Sequence, residues 1–329
     1  MKIFMTGATG YIGSYIKSML LEKGFTVHAL CRNPNDLENH TNLVKFIGDI
    51  TDPAAIAEAM QGCSRVYHLA AYAKPWAKDP EIYYRVNLEA VRHILDTAQN
   101  LGIGRIVFTS TAGVLGPSGN RPVRENDDRI GEVMNEYEDS KTQAEELCLR
   151  YVEERDMDII IVNPPRIYGP GVDQESNSIT RMLKLFAAGK WRIIPGDGEG
   201  IGSYVHVEDV ARGHLLAMEH GRKGHRYLLS GDNLTYNEFF RIMKKITGKD
   251  HRLFKVPLPL MLLGGHLMVL REKLTGTPPA ITPKWIRKYS YNYALDASKA
   301  QTELGYTYRN FEEGLKQTYE TIRNDDYRP

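Results

Sequence analysis

Two residues one helical turn apart carry the plainest chemistry in this chain of 329 residues. In Glu136-Tyr137-Glu138-Asp139-Ser140-Lys141 the tyrosine and the lysine stand at i and i+4, so on a helix their side chains share one face. A free phenol, with a pKa of about 10, is a poor acid–base group at neutral pH, but an ammonium beside it favours the phenolate and lowers that value. A tyrosine tuned in this way exchanges a proton with a carbonyl or alcohol oxygen. Upstream, the apolar run Val107-Phe108 ends in Thr109-Ser110-Thr111-Ala112-Gly113, and Thr111 or Ser110 is placed to hydrogen-bond the reacting oxygen. Tyrosine and lysine at this spacing also occur by chance on solvated helices, and hydroxyls commonly end strands. The pair therefore needs a setting.

The setting is Met5-Thr6-Gly7-Ala8-Thr9-Gly10-Tyr11-Ile12-Gly13. It follows the apolar run Ile3-Phe4-Met5 and opens a segment, 11–23, in which Ile12, Ile16, Met19 and Leu20 recur at helical spacing. The three glycines let the chain turn sharply, let phosphates approach the backbone and let helix pack on strand. The free N–H groups and dipole of the helix start then form an anion site. With a second strand over 25–30, this is a dinucleotide site, and Gly7, Gly10, Tyr11, Ile12 and Gly13 are its first contacts. The second strand ends in Leu30-Cys31-Arg32-Asn33, without the acidic residue that would hold ribose hydroxyls and repel a 2′-phosphate. Arg32 instead offers a planar fork of donors, so NADP is expected, with NAD as the second choice. The third strand ends in Gly48-Asp49-Ile50-Thr51-Asp52: Asp49 is expected to accept from the adenine amino group and Ile50 to pack on its ring, while Thr51 or Asp52 caps the next helix.

Strand-like runs over 2–5, 26–30, 44–47, 65–69, 105–109 and 158–162 alternate with helical patterns over 11–23, 53–60, 81–100 and 135–155. That alternation predicts an α/β fold with a doubly wound parallel sheet and right-handed crossovers, its ligand beyond the carboxyl ends of the strands. After Pro164-Pro165 the pattern loosens into glycine- and proline-rich stretches, with a closing helix over 311–323. The expected division is a dinucleotide-binding domain, 1–165 with 203–230, and a smaller irregular substrate-binding lobe, 166–202 with 231–329. The segment 206–218 is expected to return to the sheet. Lys plus Arg number 42 against 41 Asp plus Glu, and no block of like charge occurs, so nothing calls for nucleic acid or an acidic membrane surface. Cys31, Cys63 and Cys148 have neither disulfide nor zinc spacing and are expected as free thiols in a reducing cytoplasm, with no metal. The amino terminus reads as a strand rather than a leader, and the most apolar stretch, 256–270, is broken by Pro257, Pro259, two glycines and His266, so no membrane span is expected.

Taken in order, Thr6-Gly7-x-x-Gly10-x-x-Gly13, Asp49-Ile50, His68-Leu69-Ala70-Ala71, Val86-Asn87, the Ser/Thr strand end, Tyr137-x-x-x-Lys141 and Asn163-Pro164-Pro165-Arg166-Ile167-Tyr168-Gly169-Pro170 resemble the extended short-chain dehydrogenase/reductases over nearly the whole chain. That group includes the sugar-nucleotide epimerases and dehydratases. The resemblance implies a Rossmann domain, a nicotinamide cofactor and a catalytic group of Tyr137, Lys141 and Thr111, with Ser110 as a neighbour. It also implies Leu69, Ala70, Ala71, Asn87 and Pro164 near the cofactor, and a homodimer packed through the helices carrying Asn87 and Tyr137. Dehydratases of the family place an Asp-Glu pair after the catalytic threonine; here Ala112-Gly113 follows. Many epimerases carry a diphosphate-binding arginine shortly before the stretch reading Tyr204-Val205-His206-Val207. This chain has Ile201-Gly202-Ser203, leaving Arg166, Arg181 or Arg192 as substitutes. The segments 205–214 and 226–235 resemble the dihydroflavonol-reductase-like branch, whose substrates are mostly hydroxy or keto compounds without a nucleotide.

On the substrate side, Tyr72, Lys74, Trp76 and Tyr168 are expected on bordering loops. The stripe Leu258, Leu260, Met261, Leu262, Leu263, Leu267, Met268, Val269 and Leu270 reads either as the wall of an apolar pocket or as core or a dimer contact. His206, between two valines, reads as structural. The expected reaction is hydride transfer between NADP and a hydroxy, keto or aldehyde small molecule. Tyr137 acts as acid in reduction and base in oxidation, Lys141 lowers its pKa and holds the nicotinamide ribose, and Thr111 orients the substrate oxygen. The alternatives are a nucleotide-sugar epimerase with tightly bound NAD and a non-catalytic dinucleotide sensor; the sensor has no need of Tyr137 or Lys141.

Overall fold

The computed structural model describes residues 1–171 and 177–325. Short β-branched and aromatic runs form the strands β1 (Lys2–Thr6), β2 (Thr26–Cys31), β3 (Leu43–Ile47), β4 (Arg65–His68), β5 (Arg105–Thr109) and β6 (Ile159–Asn163). They are followed by β7 (Arg166–Tyr168), β8 (Ile193–Pro195), β9 (Ile201–His206), β10 (Arg226–Leu228), β11 (Asp232–Thr235) and β12 (Phe254–Val256). The helices are α1 (Tyr11–Glu22), α2 (Pro53–Met60), α3 (Glu81–Tyr84), α4 (Ala90–Asn100), α5 (Glu136–Arg155) and α6 (Ser178–Ala187), then α7 (Val207–His220), α8 (Tyr236–Thr247), α9 (Leu258–Thr275), α10 (Pro283–Arg287), α11 (Ser298–Leu304) and α12 (Phe311–Asp325).

The main sheet has seven strands, all parallel, in the order β10-β6-β5-β4-β1-β2-β3. Every residue of β6 is buried, as a strand covered on both faces must be. One face packs residues of α1, α7 and α11, including Ile16, Leu20, Val210, Leu215 and Leu304; the other packs residues of α2, α4 and α5, including Ile56, Val91, Ile94 and Leu147. The chain starts in mid-sheet at β1, runs outward to β3 and crosses back to β4. Strand order therefore reverses between β1 and β4, where open α/β sheets bind ligands at the carboxyl edge. This is the doubly wound fold expected from the alternation.

A second layer is built from β7, β9 and β11, with β8 paired to β12 apart from it. Its core is aromatic, with Tyr168, Phe186, Tyr204, Phe239, Phe240 and Phe311 packed together. The segment 206–218 returns to the main sheet as α7, packed on its face, while β9 pairs with β7 and β11 and the seventh strand is β10. Two expectations change here. The helix expected over 81–100 is interrupted by a π-helical turn at Arg85–Glu89, which carries the buried Asn87. Of the apolar stripe in α9, Leu260, Leu263, Leu267, Met268 and Leu270 are exposed, and Gly265 alone in the helix is buried, so those residues are not core. No helix among the described residues is long and apolar enough to cross a membrane.

Candidate active site

The phosphate turn follows from sterics. Gly7 has φ +72°, and a Cβ there would come within 2.8 Å of the Ala70 backbone nitrogen; at Gly13 it would run into the Gly7 carbonyl oxygen. Only glycine closes the turn against β4. Thr6 locks the two strand ends, its hydroxyl accepting from the N–H groups of Leu69 and Ala70 at 3.2 Å each and meeting His68 Nδ1 at 2.7 Å. Burial, and then the nearby Lys141, push His68 down to about 3, so it is neutral. Helix α1 starts at Gly10 without a side-chain cap, which leaves first-turn N–H groups for an anion. These features fit a dinucleotide pyrophosphate. The Tyr11 hydroxyl is committed elsewhere, donating to the Gly169 carbonyl at 2.8 Å, and Ile12 is half-buried. Arg32 is exposed just beyond β2, next to the buried Cys31. Asp49 is half-buried and accepts from the N–H of Thr51 at 2.9 Å and its hydroxyl at 2.8 Å, Ile50 packs against the core, and Asp52 rather than Thr51 caps α2.

Asn135 caps α5, accepting from the Glu138 N–H at 2.9 Å, and thereby aims the helix start at the strand edge. One turn in, the half-buried Tyr137 phenol neighbours the Thr111 hydroxyl. Burial, and then the Glu138 charge, push that phenol up to about 12 against a lowering by Thr111. The lowering by Lys141 expected from the spacing is not what acts here. The Lys141 ammonium is buried, donates to the Thr109 carbonyl at 2.8 Å and sits 4.7 Å from the Phe108 ring centre, so it is held down onto β5. Burial lowers Lys141 itself to about 8.

Around Thr111 the edge is tied together. Its carbonyl accepts from Asn163 at 3.1 Å, its hydroxyl from the Gly113 N–H at 3.2 Å, and the Pro164 carbonyl from the Ala112 N–H at 3.0 Å. Ser110 is buried, and its hydroxyl finds no protein partner among the described residues. Leu69 and Ala70 are half-buried beside the glycine turn, and Ala71 is exposed. The Asn87 amide is used within the protein: it accepts from the Tyr72 N–H at 2.8 Å and donates to the Tyr72 carbonyl at 3.1 Å and the Ser140 hydroxyl at 3.0 Å. The 72–76 stretch is pinned further by Tyr83, which donates to the Lys74 carbonyl at 2.8 Å, and by the bond from the Tyr72 hydroxyl to the Trp76 carbonyl at 3.3 Å.

Tyr168 is not on a bordering loop. It lies in β7, fully buried edge-on against His206 and Phe311, because the β7–β9 pairing turns it into the aromatic core. His206 caps α7, accepting from the Glu208 N–H at 3.3 Å, and burial lowers it to about 4, in keeping with the structural reading. Sequence reasoning missed the wall opposite Tyr137. Trp285 stacks on the Tyr137 ring at 6.4 Å, and Lys288 lies 4.9 Å from the Trp285 ring centre and pairs with the buried Glu138, which Arg129 meets at 3.2 Å. Adjacency to Tyr137 was the only signal for Glu138; nothing marked residues about 150 positions away.

Fold and site together define a dinucleotide-binding α/β enzyme. The pattern of the NAD dependent epimerase/dehydratase family matches residues 3–230, and the chain belongs to that family. It is 31% identical over 332 residues to the "Putative dihydroflavonol 4-reductase" of Synechocystis sp., covering 98% of this chain and 95% of that protein. It is 30% identical over 315 residues to the sterol demethylase protein B of Methylococcus capsulatus, 93% of each. The UDP-glucose 4-epimerase of Thermotoga maritima, solved with UDP-glucose, superposes with a TM-score of 0.82 at 24% identity over 99% of both chains, a likeness of fold. The chain is thus an NAD(P)-dependent oxidoreductase of the extended short-chain type.

Proposed function

We propose that this enzyme reduces a carbonyl group of a small molecule with NADP as cofactor, or oxidises the corresponding alcohol. The observation that carries the reading is the Tyr137 phenol neighbouring Thr111 at the carboxyl edge of β5, the edge on which Lys141 is held by the Thr109 carbonyl. The nicotinamide, when bound, supplies or takes the hydride. Tyr137, protonated at neutral pH, donates its proton to the carbonyl oxygen during reduction and recovers it in oxidation. Thr111 holds the substrate oxygen against the phenol. Lys141 binds the nicotinamide ribose, and Gly7, Gly10, Ile12 and Gly13 receive the pyrophosphate through backbone N–H groups. Arg32, exposed beyond β2 with no acidic residue in its place, favours the 2′-phosphate of NADP. Asn87 acts by positioning the 72–76 stretch. The division into 1–165 with 203–230 and 166–202 with 231–329, and a homodimer through the helices carrying Asn87 and Tyr137, belong to the same proposal.

Tyr137→Phe tests it. Turnover with a carbonyl substrate is expected to fall by about 100-fold or more while NADPH affinity, read by nicotinamide fluorescence, stays within about twofold. Comparable turnover in the variant would remove Tyr137 from the chemistry.

A further inference from the structure

We infer that the substrate pocket contains a subsite for an oxyanion, a phosphate or carboxylate group of the substrate, built on Arg166 and Lys288; the inference rests on Tyr137 marking the reacting end of the pocket. Arg166 stands at the start of β7, half-buried, with its guanidinium 5.7 Å from the ring centre of Tyr204 and 5.8 Å from those of Tyr236 and Tyr293. Its Nη2 donates to the Tyr236 hydroxyl at 3.3 Å, and its Nη1 is buried without a partner. Among the described residues no carboxylate pairs with it. Gly202 makes room for it: a Cβ there would run into the guanidinium.

A guanidinium taken out of water without an anion is strongly unfavourable, and aromatic faces offset only part of that loss. Its neighbours do not supply the missing charge. Lys288 lies over the same Tyr293 ring at 5.0 Å, and its one carboxylate, Glu138, is shared with Arg129. Two cations thus share one buried carboxylate, and Arg166 beside them has none. The cluster begins one side chain away from the phenol, since Trp285 contacts both Tyr137 and Lys288. The planar fork of Arg166 and the O–H proton left on Tyr236 suit a planar or tetrahedral oxyanion. A substrate carrying its carbonyl at Tyr137 and an acidic group beyond Trp285 would neutralise the surplus.

The test is calorimetric titration of the full-length protein saturated with NADPH, which keeps anions off the glycine turn, using inorganic pyrophosphate and malonate as probes. Saturable binding of at least one probe is expected, weakened about tenfold or more in Arg166→Met and in Lys288→Gln, with Arg166→Lys retaining part of it. Tighter pyrophosphate assigns a phosphate group; tighter malonate assigns a carboxylate. Absence of saturable binding to the parent protein, or binding unchanged in both Arg166→Met and Lys288→Gln, overturns the subsite. If Arg166→Met fails to fold by thermal unfolding, Lys288→Gln decides. Loss of NADPH affinity in the parent protein would instead overturn the proposed function, and the Arg166 dependence of probe binding is then read without NADPH.

Discussion

Burial, more than charge, sets the state of the two groups at the heart of the site. The Tyr137 phenol is pushed up to about 12 and the Lys141 ammonium down to about 8, each toward its neutral form. A phenol in that range stays protonated across the working pH range, so it holds its proton for reduction but yields it less readily than a free phenol. Lys141 is different: its charge is complete well below pH 8 and is lost as pH rises through that value. If the ammonium holds the nicotinamide ribose, reductive kcat should show one descending limb near pH 8 and none from Tyr137. Lys141→Arg should move that limb beyond about pH 10, because guanidinium does not titrate there. A limb that stays near 8 in the variant would assign the titration to another group.

At the scale of elements, the β1–α1 turn and the π-helical turn between α3 and α4 do different work. The first is a steric solution, with Gly7 against Ala70 and Gly13 against the Gly7 carbonyl. Gly13→Ala should force the turn open, lowering stability by about 1–3 kcal/mol in thermal unfolding. Because bonds from N–H groups to a charged phosphate are lost with it, NADPH affinity should fall by about tenfold or more. An alanine variant that binds NADPH normally would mean the phosphates lie elsewhere. The π turn instead faces Asn87 toward Tyr72 and Ser140, tying the stretch before α3 to the helix that carries Tyr137. Positive charge is carried to the same helix by α10 and the turn after it, through Lys284 to Glu136 and Lys288 to Glu138.

For the molecule as a whole, a nearly neutral chain carries one exposed apolar helix face. The formal charge is only +1, while α9 presents exposed leucines at 260, 263, 267, 270 and 274. The proposed homodimer uses the helices carrying Asn87 and Tyr137 and leaves α9 outside. Sedimentation of the parent protein should therefore give twice the chain mass, and Leu263→Lys with Leu267→Lys should leave that mass unchanged. A monomer in the double variant would move the contact to α9.

Local signals were enough for much of this. The glycine spacing, the helix carrying Tyr137 and Lys141, the hydroxyls ending β5 and the alternation that defines the parallel sheet depend on residues close in sequence, whose periodicity and turn chemistry act within a few positions. The family follows from the same motifs. Everything that depends on long-range packing was decided by the tertiary structure. The three residues of β10 are too few to show a period, and Tyr168 became core only because β7 pairs with β9. Lys141 fell to the Thr109 carbonyl rather than acting on the phenol, since burial on β5 outweighs a neighbour one turn away. Trp285, Lys288 and Arg166 reach the site from separate elements, and whether a cation meets a carboxylate or is left without one depends on distances in space that the order of residues does not contain.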